Sequence, residues 1–249
     1  MGVETKMSKG LKTFQDWCVD TLYAILVAKK DYRGSLEDQG YKYVLKAIVD
    51  HFASMYYCGA GNVSARNKRK EHINLWWDHL NEGSRSKFFT PLLMSVNAAQ
   101  YCLDGNRRHQ TFGGHGGLLH LEHIAPKGYI YKKFQHLENP TRETVAECFK
   151  HAKMVLLTKK ESEKYLDGNG AVFSAEDVNM LRKTFHVCEQ EIKEAEDLIG
   201  KSPKSDGSGL LRMIHLYNSG VRFRNFNGDS MPPERWRTYL DDHNNEMTI

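Results

Sequence analysis

The run Leu118-Leu119-His120-Leu121-Glu122-His123-Ile124-Ala125-Pro126 constrains the fold of this chain more than any other segment. It places two imidazoles and a carboxylate within four positions of an apolar stretch that ends at a proline. Alternate side chains of an extended strand share a face, so His120 and Glu122 point one way while Leu119, Leu121 and His123 point the other. Strand twist, or a bend ahead of Pro126, can bring His123 round to the edge of the same site. Each polar group in a buried strand must find a partner or lose roughly 1–3 kcal/mol. A bound metal supplies such a partner; the competing reading is a solvated strand edge without function.

The other segments read mainly as helix. Leu11, Phe14, Cys18, Leu22, Ile25 and Leu26 draw one apolar stripe, and Tyr41, Val44, Leu45, Ile48, Val49, Phe52 and Met55 draw a second. Thr90 before Pro91 signals a helix running to about Leu103. Thr141 caps a short helix to about His151. Met154-Val155-Leu156-Leu157-Thr158 reads as a buried strand, followed at once by a helix from Lys159 to Leu166 that the glycines of Asp167-Gly168-Asn169-Gly170 stop. Ser174 and Asp177 open a helix expected to reach Ile199, and residues 201–209 have the composition of a flexible linker. The expected class is mainly α with a small β component. The expected divisions are a helical, nucleic-acid-binding region at 1–117, a central module at 118–168, and a C-terminal helical region with a basic-aromatic tail at 169–249.

The chain has 249 residues, enough for one large domain or two small ones, and a formal net charge of +4. That excess permits an anionic partner without demanding one, so the position of the charges matters more than their sum. Arg66, Lys68, Arg69 and Lys70 form a dense basic run; Arg107 and Arg108 sit in the glycine-rich loop 104–117; Lys127 follows Pro126. These cations can track a phosphate backbone, or simply solvate a surface. Arg222-Phe223-Arg224-Asn225-Phe226 alternates cations with rings, which suits phosphate contact beside base stacking and equally suits an amphipathic strand packing its rings on a core.

Cys18, Cys58, Cys102, Cys148 and Cys188 lie at least forty residues apart with no Cys-x-x-Cys pair, so a reduced, cytoplasmic setting is expected over a disulfide framework. The longest apolar stretch, Leu22–Ala28, is too short to span a bilayer, so no membrane partner is expected; no signal peptide is evident, and Lys6 breaks the myristoylation pattern begun by Gly2.

The order of strand with acid–histidine pair, connection, strand and helix resembles the HNH, or ββα-metal, endonuclease superfamily. Glu122-His123-Ile124-Ala125-Pro126 is similar to the form of its first motif that reads acid, histidine, aliphatic, any residue, proline. The likeness covers residues 118–168 and implies a helical scaffold around a central ββα-metal module. It implies hydrolysis of phosphodiester bonds in nucleic acid, with His123 as general base and Glu122 as ligand to one Mg²⁺ or Mn²⁺; double-stranded DNA is the substrate expected first, with RNA left open. His120 stands where relatives often carry a further polar residue. Relatives finish the metal site with Asn or His on the helix; here Glu161 or Glu163 is the expected oxygen ligand, with Ser162 between them. His151 lies where the superfamily's middle asparagine would precede the second strand, and can pin the loop, ligate, or do neither. A single molecule that nicks and a homodimer that cuts both strands are both compatible with the chain.

Overall fold

Strand β3 (Met154–Thr158) is buried at every position, as its unbroken apolar sequence requires of a strand covered on both faces. In the computed structural model, which describes residues 16–28, 43–49, 93–103, 118–168, 170–225 and 229–237, helices predominate around one small mixed sheet. The strand order is β2-β3-β1-β4. β2 (Leu119–His123) runs antiparallel to β3, β1 (Leu93–Ser95) runs parallel to it, and β4 (Phe223–Arg224) closes the far edge antiparallel to β1. The sheet therefore draws strands from before, within and after the central segment.

Register assigns each side chain to a layer. His120 lies opposite Leu157 and Glu122 opposite Val155, while His123 lies opposite Met154. Paired residues share a face, so His120 and Glu122 share theirs with Val155 and Leu157, and His123 shares the other with Met154. Val155 and Leu157 belong to a core built from α7 (Ala175–Thr184), α8 (Glu189–Glu196), α9 (Gly209–Asn218) and Trp236. Met154 belongs to a second core, built from α1 (residues 16–28), α2 (residues 43–49), α4 (Lys127–Gln135) and α5 (Arg142–Phe149). Cys18, Leu22 and Leu26 of the first expected stripe are buried there with Leu45, Ile48 and Val49 of the second; Leu11, Phe14, Tyr41, Phe52 and Met55 lie outside the described residues.

Four expectations are corrected. The segment after Pro91 begins as strand β1, and its helix, α3, spans only Val96–Leu103. The reason is tertiary: β3 and β4 flank β1 and take its backbone hydrogen bonds. The connection between β2 and β3 contains a further helix, α4, whose entry is Pro126 in extended conformation. The helix expected to run from Ser174 to Ile199 breaks into α7 and α8. Phe185 turns extended to stack against Trp236, and Glu191 then caps the Cys188 amide to start α8. Residues 201–209 are an ordered connection rather than a flexible linker. Gly207 has φ of 98°, and a Cβ there would stand 2.6 Å from the Phe173 ring, so only glycine fits; Ser208 then caps α9.

The C-terminal layer is locked by a buried polar cluster. Asp177 accepts from the Ser174 amide at 2.8 Å and from Asn218 Nδ2 at 2.8 Å, and meets His215 Nδ1 at 3.0 Å. His215 Nε2 reaches the Tyr165 carbonyl at 3.1 Å, tying α9 to the end of α6 (Lys159–Tyr165). Burial pushes the Asp177 carboxyl up, but the bonds from His215, Ser174 and Asn218 outweigh it and hold the group below its ordinary value. A carboxyl depressed in this way adds stability above its unfolded pKa of about 3.9, which is lost as pH falls through the lower folded value. Asp177→Asn should cost about 2–4 kcal/mol at pH 7 by denaturant unfolding and should flatten the loss of stability below about pH 4. An unchanged pH profile in the variant would remove Asp177 as the source of that loss.

Candidate metal centre

The helix after β3 starts where it does because Thr158 caps it. Thr158 Oγ1 accepts from the Glu161 amide at 3.1 Å, while the Thr158 amide donates to Glu161 Oε2 at 2.8 Å, a reciprocal capping box. The Lys159 amide donates to the Leu118 carbonyl at 2.8 Å, which holds the first turn of α6 against the start of β2. With that turn fixed, Ser162 faces the strand. Its hydroxyl donates to Glu122 Oε1 at 3.1 Å and lies 3.2 Å from His120 Nδ1, and His120 Nδ1 is itself 3.2 Å from Glu122 Oε1. His120 is 47% exposed and Glu122 19% exposed, so the cluster opens to solvent on the histidine side.

Ser, His and Glu side chains in contact invite a nucleophilic relay, but such a relay needs the acid and the hydroxyl on opposite ring nitrogens. Here both approach Nδ1. The same three atoms, hydrogen-bonded to one another here, could also serve as ligands to a cation. Adjacent ligands on an octahedral ion at 2.0–2.1 Å stand about 2.9 Å apart, close to the 3.1–3.2 Å among these three atoms. Carboxylate and hydroxyl oxygens suit Mg²⁺ or Mn²⁺, and an imidazole nitrogen favours the transition ion of the two. Among the described residues no group of three His, Cys, Asp or Glu side chains is placed to hold a metal, so a serine would have to complete the set.

Strand β2 keeps regular register through His123, and the chain bends only afterwards, at Ile124 and Ala125. His123 is therefore not turned towards Glu122; alternation leaves it half-buried on the opposite face. Glu161 is not brought to the cluster either. Its Oε2 accepts from Ser95 Oγ at 2.6 Å and Thr158 Oγ1 at 2.9 Å in addition to the Thr158 amide, and its Oε1 accepts from Asn97 Nδ2 at 2.9 Å. With its lone pairs so engaged, this carboxylate joins the β1–α3 corner to the β3–α6 corner. Glu163 is exposed and pairs with Lys159 at 3.5 Å along its own helix. His151 packs edge-on to Tyr129 at 5.3 Å, on the approach to β3.

The basic candidates divide. Arg66, Lys68, Arg69, Lys70, Arg107 and Arg108 lie outside the described residues. Lys127 opens α4. Arg222 lies over the Tyr217 ring at 4.0 Å and donates to the Tyr217 carbonyl at 2.8 Å; Arg224 is half-buried in β4, and Phe223 is buried against Trp236. The alternation in this segment is thus that of a strand with a ring in the core; Phe226 lies outside the described residues. The side chain that sequence reasoning passed over is Ser162. Its signal was the spacing Ser162, Tyr165, Leu166, the inward stripe of α6 once Thr158 is taken as the cap. Comparison of the chain with protein-family models, curated proteins and solved structures finds no match.

Because Glu161 serves the fold, Glu161→Gln should lower stability by about 2–3 kcal/mol by denaturant unfolding, and any weakening of Mn²⁺ binding should accompany that loss of stability, since it would come from a displaced Ser162. A large loss of affinity at unchanged stability would restore Glu161 as a ligand.

Proposed function

We propose that this chain is a metal-dependent nuclease of the HNH, ββα-metal type that hydrolyses phosphodiester bonds in nucleic acid, DNA before RNA. The observation that carries the reading is the mutual approach of His120, Glu122 and Ser162 on a strand–strand–helix unit whose first strand ends in the acid–histidine–proline motif. Glu122, His120 and Ser162 would hold the divalent cation, Mg²⁺ or Mn²⁺. When bound, such an ion supplies positive charge to the phosphate in the transition state and to the departing oxygen. The chain's own part is to orient that site and to accept a proton from the attacking water. The motif assigns the proton to His123; His120, with Nδ1 given to the ion, would serve as a ligand and not as the base.

The substrate would reach the site from solvent on the His120 side. Arg66, Lys68, Arg69, Lys70, Arg107, Arg108 and Lys127 are the cations proposed to hold its backbone, with Arg224 at the sheet edge and Arg222, already engaged by Tyr217, contributing least. A cytoplasmic setting is part of the proposal and rests on the cysteines; Cys18, Cys148 and Cys188 are free thiols. Among the described residues no helix is long and apolar enough to cross a membrane. The position of His123 on the far face of β2 favours a second reading, a nucleic-acid-binding protein that keeps the module without turnover.

Incubation of plasmid and of RNA with the purified chain in Mg²⁺ or Mn²⁺, with EDTA as control, tests the reading. Cleavage should require the ion and fall at least about 100-fold in Glu122→Ala, with helicity unchanged. Loss of the same size in His123→Ala with Mn²⁺ binding intact would make His123 the base, whereas loss in His120→Ala should come with weakened Mn²⁺ binding, as for a ligand; full activity in His123→Ala would remove it as the base. Tight binding without cleavage under any ion would select the second reading. Neutralising Arg66, Lys68, Arg69 and Lys70 should reduce the salt dependence of binding by about one unit of log–log slope per lost phosphate contact; an unaltered slope would mark those residues as a solvated face.

A further inference from the structure

Arg212 is a charged side chain set deep in the C-terminal layer, 3% exposed on a helix whose neighbours Leu211, Met213, Ile214 and Leu216 form the core. Burial lowers its guanidinium to about 10, with the carboxylates of Glu122 and Asp167 acting in the opposite sense, so it remains a cation at neutral pH. Its Nη1 donates to the His123 carbonyl at 2.6 Å and to the Ile124 carbonyl at 3.0 Å. Its Nε is buried and meets no hydrogen-bond acceptor among the described residues. An apolar side chain of similar volume would avoid both the desolvated charge and the open N–H. Packing alone therefore gives no reason for an arginine here. What it can do that methionine cannot is bind two consecutive carbonyls at the point where β2 ends. Gly209 allows this approach: a Cβ there would stand 2.8 Å from Ile124 Cγ2, so only a bare backbone lets α9 come this close to the strand.

We infer that Arg212 is a positioning residue of the metal centre, whose clamp on the His123 and Ile124 carbonyls fixes the end of β2 in the pose that sets Glu122 and His120 against Ser162. Its functional meaning rests on the metal-centre reading above, but the clamp itself belongs to the metal-free chain. Its guanidinium also acts on the Glu122 carboxylate through charge, which a lysine keeps; the clamp itself acts through the strand.

Arg212→Met, Arg212→Lys and a core control on the same helix, Leu216→Ala, test this in the full chain. Two readouts are taken: Mn²⁺ affinity by calorimetry, and the ring resonances of His120 and His123 by NMR without metal. Arg212→Met should weaken Mn²⁺ binding by about 10–100-fold, the range for residues that orient a metal ligand. Arg212→Lys, which keeps a donor and the charge, should recover part of that loss. Both arginine variants should shift the His120 and His123 resonances, whereas Leu216→Ala should lower stability and leave both readouts alone. Should Arg212→Met not fold, Arg212→Lys against Leu216→Ala decides the matter, and failure of the lysine variant to fold would make Arg212 a fold determinant and overturn the assignment. Wild-type affinity and resonances in the arginine variants would overturn it too, as would equal changes in Leu216→Ala. If the wild-type chain takes up no Mn²⁺, the functional reading fails, and the ring resonances alone then decide for or against the clamp.

Discussion

The Glu161 carboxylate is the constraint on which the centre of this molecule depends. By accepting from Ser95, Asn97 and Thr158 it ends β3, starts α6 and joins that corner to the neighbouring turn between β1 and α3. The next residue, Ser162, is then held against β2, and its contact with Glu122 and His120 follows from helix geometry. A buried carboxylate without such donors would be expensive, and one so fully bonded is specific instead. The site is thus assembled by a residue that does not belong to it.

Two further buried polar groups extend the same logic into the C-terminal layer. Asp177 with His215 and Asn218 ties α7 and α9 to the last carbonyl of α6, and Arg212 ties α9 to the end of β2. The apolar core of that layer is non-directional; Val178, Leu181, Ile214 and Trp236 would tolerate sliding. Hydrogen bonds at fixed atoms would not, and they fall on the two elements that carry the candidate ligands. The opposite layer meets the sheet at Met154 through side chains such as Ile130, Phe134 and Phe149, which back the strands without reaching the cluster.

Much of this was legible in the sequence because it is local. The alternation in Leu119-His120-Leu121-Glu122 set the shared face of His120 and Glu122, the unbroken apolar run Met154–Leu157 gave the buried strand, and the polar run from Lys159 marked the helix that opens straight from it. The two short strands at the sheet's other edge could not be read, since three residues and two residues carry no periodicity and exist only through β3 and through each other. Glu161, expected as a ligand, turned to the corner and Ser162 turned to Glu122 and His120 for a related reason. Sequence shows a carboxylate and a hydroxyl side by side, but only the donors at Ser95 and Asn97, more than sixty residues away, decide which one turns inward to the corner. Arg212 was silent because nothing in Gly-Leu-Leu-Arg-Met-Ile marks a cation that will reach two carbonyls of a strand eighty-nine and eighty-eight residues earlier.

Whether the His120, Glu122 and Ser162 cluster holds a cation can be read directly from the electron paramagnetic resonance of added Mn²⁺ in protein carrying ¹⁵N-labelled histidine. The account predicts a bound ion with a hyperfine coupling to one imidazole nitrogen, a coupling that vanishes in His120→Ala and a bound signal that vanishes in Glu122→Ala. No bound Mn²⁺ in the wild-type chain, or a bound ion whose signal is the same in both variants, would contradict it.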